Sequence, residues 1–195
     1  MAVFASRQIV LPHMVNYVNF IQSSGTQYFD TGFVPDNNTR VIVDIELLTG
    51  DSNSTLFGAR SAAKSNNYAV MWTSNILRSD YNKAYTQEWD VEKTKRRVID
   101  KNKETTTIDG VSQSYVNASF RAPGTMMLLA LNNNGNVRWQ TAAKLYSCKV
   151  YDNGLIIRDY WPCYDPDGVV CLYDKVNQEY VYNAGSGEFI AGEAT

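Results

Sequence analysis

Apolar and polar residues alternate along several short stretches of the chain, most clearly over residues 39–48. Val41, Val43, Ile45 and Leu47 would lie on one side of an extended segment, with mostly polar residues on the other. A period of two is typical of a β-strand with one buried face. We therefore predict a strand here that faces a core.

Shorter runs of the same kind follow one another, separated by turn residues. They lie at residues 17–22, 27–33, 55–60, 68–72, 97–100 and 105–108. Residues 126–131 form a continuous apolar run, which predicts a strand buried on both faces or covered by a loop. No window of eleven or more residues keeps a convincing helical period. The pattern predicts an all-β fold of about a dozen antiparallel strands, arranged as a two-sheet β-sandwich.

Tight turns are predicted at Asp109–Gly110 and at Asn153–Gly154, because these residue pairs tolerate the positive φ of a two-residue hairpin. The second turn sets a register for residues 144–164. The predicted pairs on one face are Asp152 with Leu155, Val150 with Ile157, Cys148 with Asp159 and Tyr146 with Trp161. This register places Trp161 in the core. It also leaves Asp159 as a misfit that needs a partner, by expectation an arginine, or a β-bulge that turns it outward.

The 195-residue length suits one domain, with an additional arm at its beginning. Residues 1–16 show no periodic pattern and are predicted to be an N-terminal arm. Residues 17–195 are predicted to form the sandwich domain.

The charge of the chain argues against polyanionic partners. The chain has 18 basic and 20 acidic residues and a net charge of −2, so it lacks the positive surface that nucleic acid or an anionic membrane would need. Its one basic cluster, residues 93–97, is interpreted as a solvated strand or turn. No stretch reads as a secretion signal or a membrane span, and we expect folding in a cytoplasm.

The three cysteines, Cys148, Cys163 and Cys171, lie on predicted strands as small apolar residues. An odd number cannot pair completely within the chain. Free, buried thiols are predicted, which suits assembly in a reducing compartment.

Several motifs resemble a known family. They are FIQSSGTQYFDTGF (20–33), LFGAR (56–60), AKLYSCKVY (143–151), DYWPC (159–163), DGVV (167–170) and NAGSG (183–187). Together they resemble the concanavalin A-like, or laminin-G-like, jelly-roll domain of bacteriophage and prophage structural proteins, which also occurs in surface proteins of gut bacteria. The resemblance spans residues 11–192 and implies a lectin-like sandwich on a tail, fibre or capsid-decorating component. It carries over no catalytic residue.

Enzymatic chemistry finds little support in the sequence. Asp44 and Glu46 place two acids on the polar face of one predicted strand, but the third carboxylate typical of glycosidases with this fold is missing. His13 is the only histidine, and it falls in the predicted arm. We expect no enzyme activity.

Two ligand sites are predicted, for a glycan and for calcium. Aromatic, arginine and aspartate side chains concentrate in one segment and predict a glycan site at Trp72, Arg78, Asp80, Tyr81, Tyr85 and Trp89. About half of these residues could instead be core. Calcium is the cofactor considered, at Asp36, Asn37 and Asn38 or at Asp165 and Asp167, although these residue types also make turns by themselves.

The resemblance thus implies a phage or prophage virion protein, assembled in the bacterial host cytoplasm, that binds host-surface glycans. Its expected partners are other virion proteins and itself, as a homo-oligomer such as a trimer. Two alternatives remain open. One is a purely structural assembly protein without a ligand, and the other is a carbohydrate-binding module of a bacterial cell surface.

Overall fold

The computed structural model describes residues 14–48, 53–61 and 65–195, and within them all regular structure is β-strand. The strands, in chain order, are β1 (Asn16–Tyr17), β2 (Ile21–Ser24), β3 (Phe29–Asp30), β4 (Thr39–Leu47), β5 (Asn53–Arg60), β6 (Ser65–Thr73), β7 (Ile76–Trp89), β8 (Arg97–Lys101), β9 (Thr105–Ile108), β10 (Val111–Ser114), β11 (Met127–Leu128), β12 (Leu131–Asn133), β13 (Asn136–Arg138), β14 (Ala142–Asp152), β15 (Leu155–Tyr164), β16 (Val170–Asp174), β17 (Glu179–Val181) and β18 (Ile190–Ala191).

These strands form two sheets. The larger has eleven strands, with the central order β10-β9-β8-β4-β14-β15-β16-β17, and β1, β2 and β18 attached beside β15 and β14. The smaller has seven, built around β5 with β6 and β7 on one side. All pairs in the described part of the chain are antiparallel except β5 with β12. The predicted all-β, two-sheet antiparallel sandwich is confirmed and agrees with a jelly-roll fold, but the described residues form eighteen strands, several of only two or three residues, where about a dozen were predicted.

Strand β4 shows why the sheets pack face to face. Its side chains alternate between buried and half-buried along the whole strand, as its sequence predicts. Val41, Val43 and Ile45 join the core between the sheets, where they meet residues of β6 that include Tyr68 and Trp72. Asp44 and Glu46 consequently lie on the outer face of the larger sheet.

The smaller sheet is covered on its other face as well. Strands β5 and β6 are buried almost throughout, so their sequences show little alternation. Trp139 packs over Ala69, Met71 and Leu131 on that second face. The apolar run 126–131 is fully buried as predicted, but it is two short strands, because Leu129 takes a positive φ of 64° between them.

The predicted turns at Asp109–Gly110 and Asn153–Gly154 are confirmed, with positive φ at all four residues. The register beyond Asn153 is corrected. Asp152 opposes Leu155 as predicted. A β-bulge then shifts the register by one residue, so Val150 pairs with Arg158 and Cys148 pairs with Tyr160. The extra residue in β15 reverses which of its later side chains point inward.

Both described ends of the chain belong to the larger sheet. Strand β2 lies between β14 and β18, and Val18 bridges to Ala194. The sheet begins at Asn16, which pairs with Tyr164. Residues 1–13 lie outside the described part, so the N-terminal arm stays a prediction. No helix in the described part is long and apolar enough to cross a membrane.

Candidate functional site

A groove of about 420 Å³ lies on the outer face of the larger sheet. We call it the outer groove. It is lined by Tyr17, Val18, Asn19, Asp44, Arg96, Tyr146, Ser147, Trp161, Lys175 and Thr195. Aromatic rings, hydrogen-bonding groups and charges of both signs therefore meet on a surface that the sandwich does not need for its core.

One β-bulge brings Tyr146 to the groove. Along β14, Leu145 pairs with Ile45 and Ser147 pairs with Asp44, so Tyr146 is an extra residue opposite β4. Its hydroxyl donates a 2.7 Å hydrogen bond to Glu46 Oε2, on the outer face. Partial burial and this hydrogen bond raise the pKa of Tyr146 to about 12.

The second bulge, in β15, brings Trp161 to the same face. Tyr160 points into the core and is only 1% exposed, while Trp161 is half-buried on the outer face beside Tyr173 of β16. The indole Nε1–H donates a 2.8 Å hydrogen bond to Asp159 Oδ1. The partner of Asp159 is therefore an indole and not the expected arginine, and the bulge resolves the misfit.

Two cations lie over these rings. The guanidinium of Arg96 is 3.6 Å from the centre of the Tyr146 ring and makes two hydrogen bonds, of 2.9 and 2.7 Å, to the carboxylate of Asp44. The hydrogen bond to Asp44 raises the pKa of Arg96. The ammonium of Lys175 is 3.9 Å from the centre of the Trp161 ring and 4.8 Å from that of Tyr17.

The carboxylates of β4 are held by neighbouring side chains. Asp44 is bound by Arg96, while Glu46 accepts the Tyr146 hydrogen bond and lies 3.7 Å from Lys144 Nζ. Among the described residues, no cluster of three histidine, cysteine or acidic side chains is arranged to hold a metal ion. The groove is equipped to bind a polar molecule with apolar faces.

The segment predicted to bind glycan is largely internal. Trp72, Tyr81 and Trp89 are at most 4% exposed, and Asp80 is fully buried. Their faces pack in the core and do not form a platform. Trp89 instead donates its indole N–H to Val111 O, which ties β7 to β10.

Arg78 and Tyr85 are the two predicted glycan residues that reach the surface. The Arg78 guanidinium lies 4.5 Å from the Tyr85 ring centre, and its Nε donates a 2.8 Å hydrogen bond to Glu88. They are held on β7, which belongs to the smaller sheet, whereas the outer groove is on the larger one.

The residues considered for calcium act as turn formers in the structure. Asp36 Oδ1 accepts the Asn38 amide at 2.7 Å, and Asn37 Oδ1 accepts the Phe120 amide. Asp165 Oδ1 accepts the amides of Asp167 and Val169, and its Oδ2 accepts the hydroxyl of Tyr182. The Val169 amide above all lowers the pKa of Asp165. Calcium binding stays a prediction.

Sequence reasoning missed the groove because a regular register hides it. Without bulges, Tyr146 and Trp161 fall on the core face, and the cluster 93–97 that includes Arg96 reads as ordinary solvated chain. One signal was present. Asp159 was an evident misfit on the predicted core face, and a bulge was one of its two solutions.

Comparison with known proteins identifies no family for this chain. No protein-family model matches it, and no curated protein does. Among solved structures, it is similar to the K499G mutant of NanB sialidase from Streptococcus pneumoniae, with 12% identity, a TM-score of 0.44, and coverage of 72% of this chain and 27% of that one. A structure of NanB with Optactamide has 9% identity, a TM-score of 0.43, and coverage of 88% and 39%. The chain thus spans less than half the length of either.

Proposed function

We propose that this protein is a non-enzymatic, carbohydrate-binding β-sandwich and that the outer groove is its saccharide site. The observation that carries the proposal is the pair of bulges that place Tyr146 and Trp161 on one outer face. Bulges that redirect side chains are frequent beside functional sites. A sandwich gains no core packing from turning these two large rings outward.

The groove offers both kinds of contact that a sugar ring needs. Aromatic faces carry negative partial charge, which attracts the weakly positive C–H groups on the flat side of a pyranose. Asn19, Ser147 and Asp44 supply amide, hydroxyl and carboxylate groups for sugar hydroxyls. The arrangement therefore suits a neutral or weakly charged saccharide.

The cations over the rings do not close the site. Arg96 is 54% exposed at its side chain, and Lys175 is exposed as well. An exposed cation–π contact is worth only about 0.5–1 kcal/mol, so a sugar can displace the Lys175 ammonium from Trp161 at small cost. The displaced ammonium can then donate hydrogen bonds to the ligand.

The absence of catalysis is part of the proposal. Its support is that Asp44 and Glu46 are bound to Arg96, Tyr146 and Lys144, so neither stands as an unengaged acid or base of a glycosidase pair. Incubation with chromogenic glycosides should release no chromophore.

Saccharide binding is tested by a glycan array followed by calorimetric titration. Trp161→Ala should weaken binding at least tenfold, because central aromatic contacts dominate small interfaces. Tyr85→Ala is the matched control, since it removes an exposed ring from the smaller sheet and should leave binding unchanged. Loss of binding in the control alone would move the site to β7. No binding at millimolar sugar would refute a saccharide function and favour a purely structural protein.

We further propose that the protein works as a structural component of a phage or prophage particle and assembles with itself. The support is the resemblance of the sequence motifs between residues 20 and 187 to the phage and prophage domain. Mass spectrometry of purified particles should find the protein, and light scattering should show a concentration-independent oligomer. Deleting residues 1–16 tests the arm, because unchanged assembly would show that it does not clasp a neighbour.

A further inference from the structure

Two of the three cysteines face each other directly. Cys163 of β15 is the register partner of Cys171 of β16, eight residues later in the chain. Their Sγ atoms are 3.6 Å apart, both side chains are fully buried, and both are free thiols. Cys148 lies on β14 opposite Tyr160, within the core between the sheets.

The backbone at this pair already has the geometry of a disulfide. Opposed residues of antiparallel strands have Cα atoms about 4.5–5.5 Å apart, inside the range of about 4.4–6.8 Å that disulfides span. The S–S bond itself is about 2.05 Å long. The two sulfurs need to approach by about 1.5 Å, which small side-chain rotations can supply without moving the strands.

We propose that Cys163 and Cys171 form a redox modification site, which a low-molecular-weight disulfide converts to an intramolecular disulfide. One thiolate attacks the reagent, forms a mixed disulfide and releases one small thiolate. The second cysteine thiolate then attacks the protein sulfur of that mixed disulfide, forms the 163–171 bond and releases the second small thiolate. The protein loses two hydrogens, and the reagent is reduced to two thiols.

The bond would staple one side of the outer groove. It closes the hairpin of β15 and β16 around the turn at Asp165, and Cys163 lies two residues beyond Trp161. Lys175, which lies over Trp161, directly follows β16. On the other side of β15, Cys163 pairs with Tyr17, another residue of the groove. Oxidation would join β15 and β16 covalently, close to the groove residues Tyr17, Trp161 and Lys175.

The reaction should be slow in the folded protein and faster in alkaline solution. The hydrogen bond to Cys163 and burial raise the pKa of the Cys171 thiol, so little thiolate is present at neutral pH. Access to the buried pair also requires transient opening of the hairpin. The test therefore begins from unfolded chain.

The protein is refolded in a buffer of reduced and oxidised glutathione, alkylated and measured by intact mass and peptide mapping. We expect a mass lower by two hydrogens, a crosslinked peptide of Cys163 and Cys171, and alkylation of Cys148 alone. The disulfide should raise Tm by roughly 5–10 °C, since even a short closed loop lowers the conformational entropy of the unfolded chain. Cys148→Ala should form the same 163–171 crosslink with the same rise in Tm, and Cys163→Ser should show neither.

Other results would overturn the proposal. Three alkylated cysteines after refolding, stable glutathione adducts on Cys163 and Cys171, or a crosslink that includes Cys148 would each show that the pair is not preorganised. A 163–171 bond that lowers Tm would overturn the inference that the two strands already have the geometry of a disulfide, because the bond would then strain the hairpin.

Discussion

Among the described residues, two lysines lie over tyrosine rings, but one is buried and the other is at the surface. Lys101 Nζ is within 4.8–5.4 Å of the ring centres of Tyr68, Tyr81 and Tyr115, and the side chain is fully buried. Lys175 Nζ is 4.8 Å from the Tyr17 ring, and its side chain is exposed. Both ammonium groups contact aromatic rings, but only that of Lys101 is removed from water.

Burial changes the charge state of Lys101. Loss of solvent lowers its pKa to about 7, although the nearby charge of Asp80 acts in the opposite direction. Its ammonium is held by a 2.8 Å hydrogen bond to Ser79 Oγ, which is itself bonded to Thr106. The contrast teaches that aromatic contact does not replace hydration. The buried Lys101 affects the stability of the fold, whereas the exposed Lys175 remains available to a ligand.

The largest difference between the two lysines should appear on charge reversal. Lys101→Glu places a carboxylate beside buried Asp80 and should cost about 3–5 kcal/mol of unfolding free energy. Lys175→Glu, the matched surface change, should cost less than about 1 kcal/mol. Urea denaturation at pH 7 measures both. Similar losses would mean that burial does not distinguish the two sites.

The pH dependence of stability should also come from Lys101. A free lysine titrates near pH 10.4, so between about pH 7 and 10 the unfolded chain binds the additional proton, and stability rises with pH by roughly 2–4 kcal/mol. Above about pH 10 it should fall again, because burial raises the pKa of Tyr68 and Tyr115 and only the unfolded chain ionises them.

Lys101→Met is the control for this pH profile. It keeps much of the side-chain volume and removes the titrating group, so the rise between pH 7 and 10 should disappear in urea denaturation. A rise that persists in Lys101→Met would assign it to another group.

A smaller effect is expected from the hydroxyl that binds Lys101. Ser79→Ala removes the acceptor of the ammonium and the partner of Thr106, both buried, and should cost about 1–3 kcal/mol. The loss should shrink at pH 10, where Lys101 is neutral. Thermal or urea unfolding of Ser79→Ala at pH 7 and at pH 10 measures the two losses of stability. Equal losses at both pH values would contradict the prediction.

The smallest stability effect should come from removing the surface charge. Lys175→Met should change the unfolding free energy by less than about 0.5 kcal/mol, because an exposed cation–π contact is weak. If the outer groove binds saccharide, affinity should change several-fold in the same variant. An unchanged affinity, measured by calorimetry, would show that Lys175 does not touch the ligand.

Much of the fold could be predicted from local sequence patterns. The alternation in β4 and the turns at Asp109–Gly110 and Asn153–Gly154 were correctly predicted, because each depends on side-chain period or on the positive φ that those turn residues accept. The same local rules wrongly placed Trp161 in the core, whereas it lies on the outer face of the larger sheet. A bulge is one extra residue relative to a partner strand, so a single strand's sequence does not display it.

Part of the outer groove is set by the linear sequence, and part is set only by the fold. Its residue types, and the misfit at Asp159, are present in the linear chain. Their meeting on one face is a tertiary fact, because it depends on how β14 pairs with β4 and β15. The environment of Lys101 is tertiary for the same reason. The period of β8 turns it inward, but its three tyrosines come from positions 68, 81 and 115, which only the closed sandwich brings together.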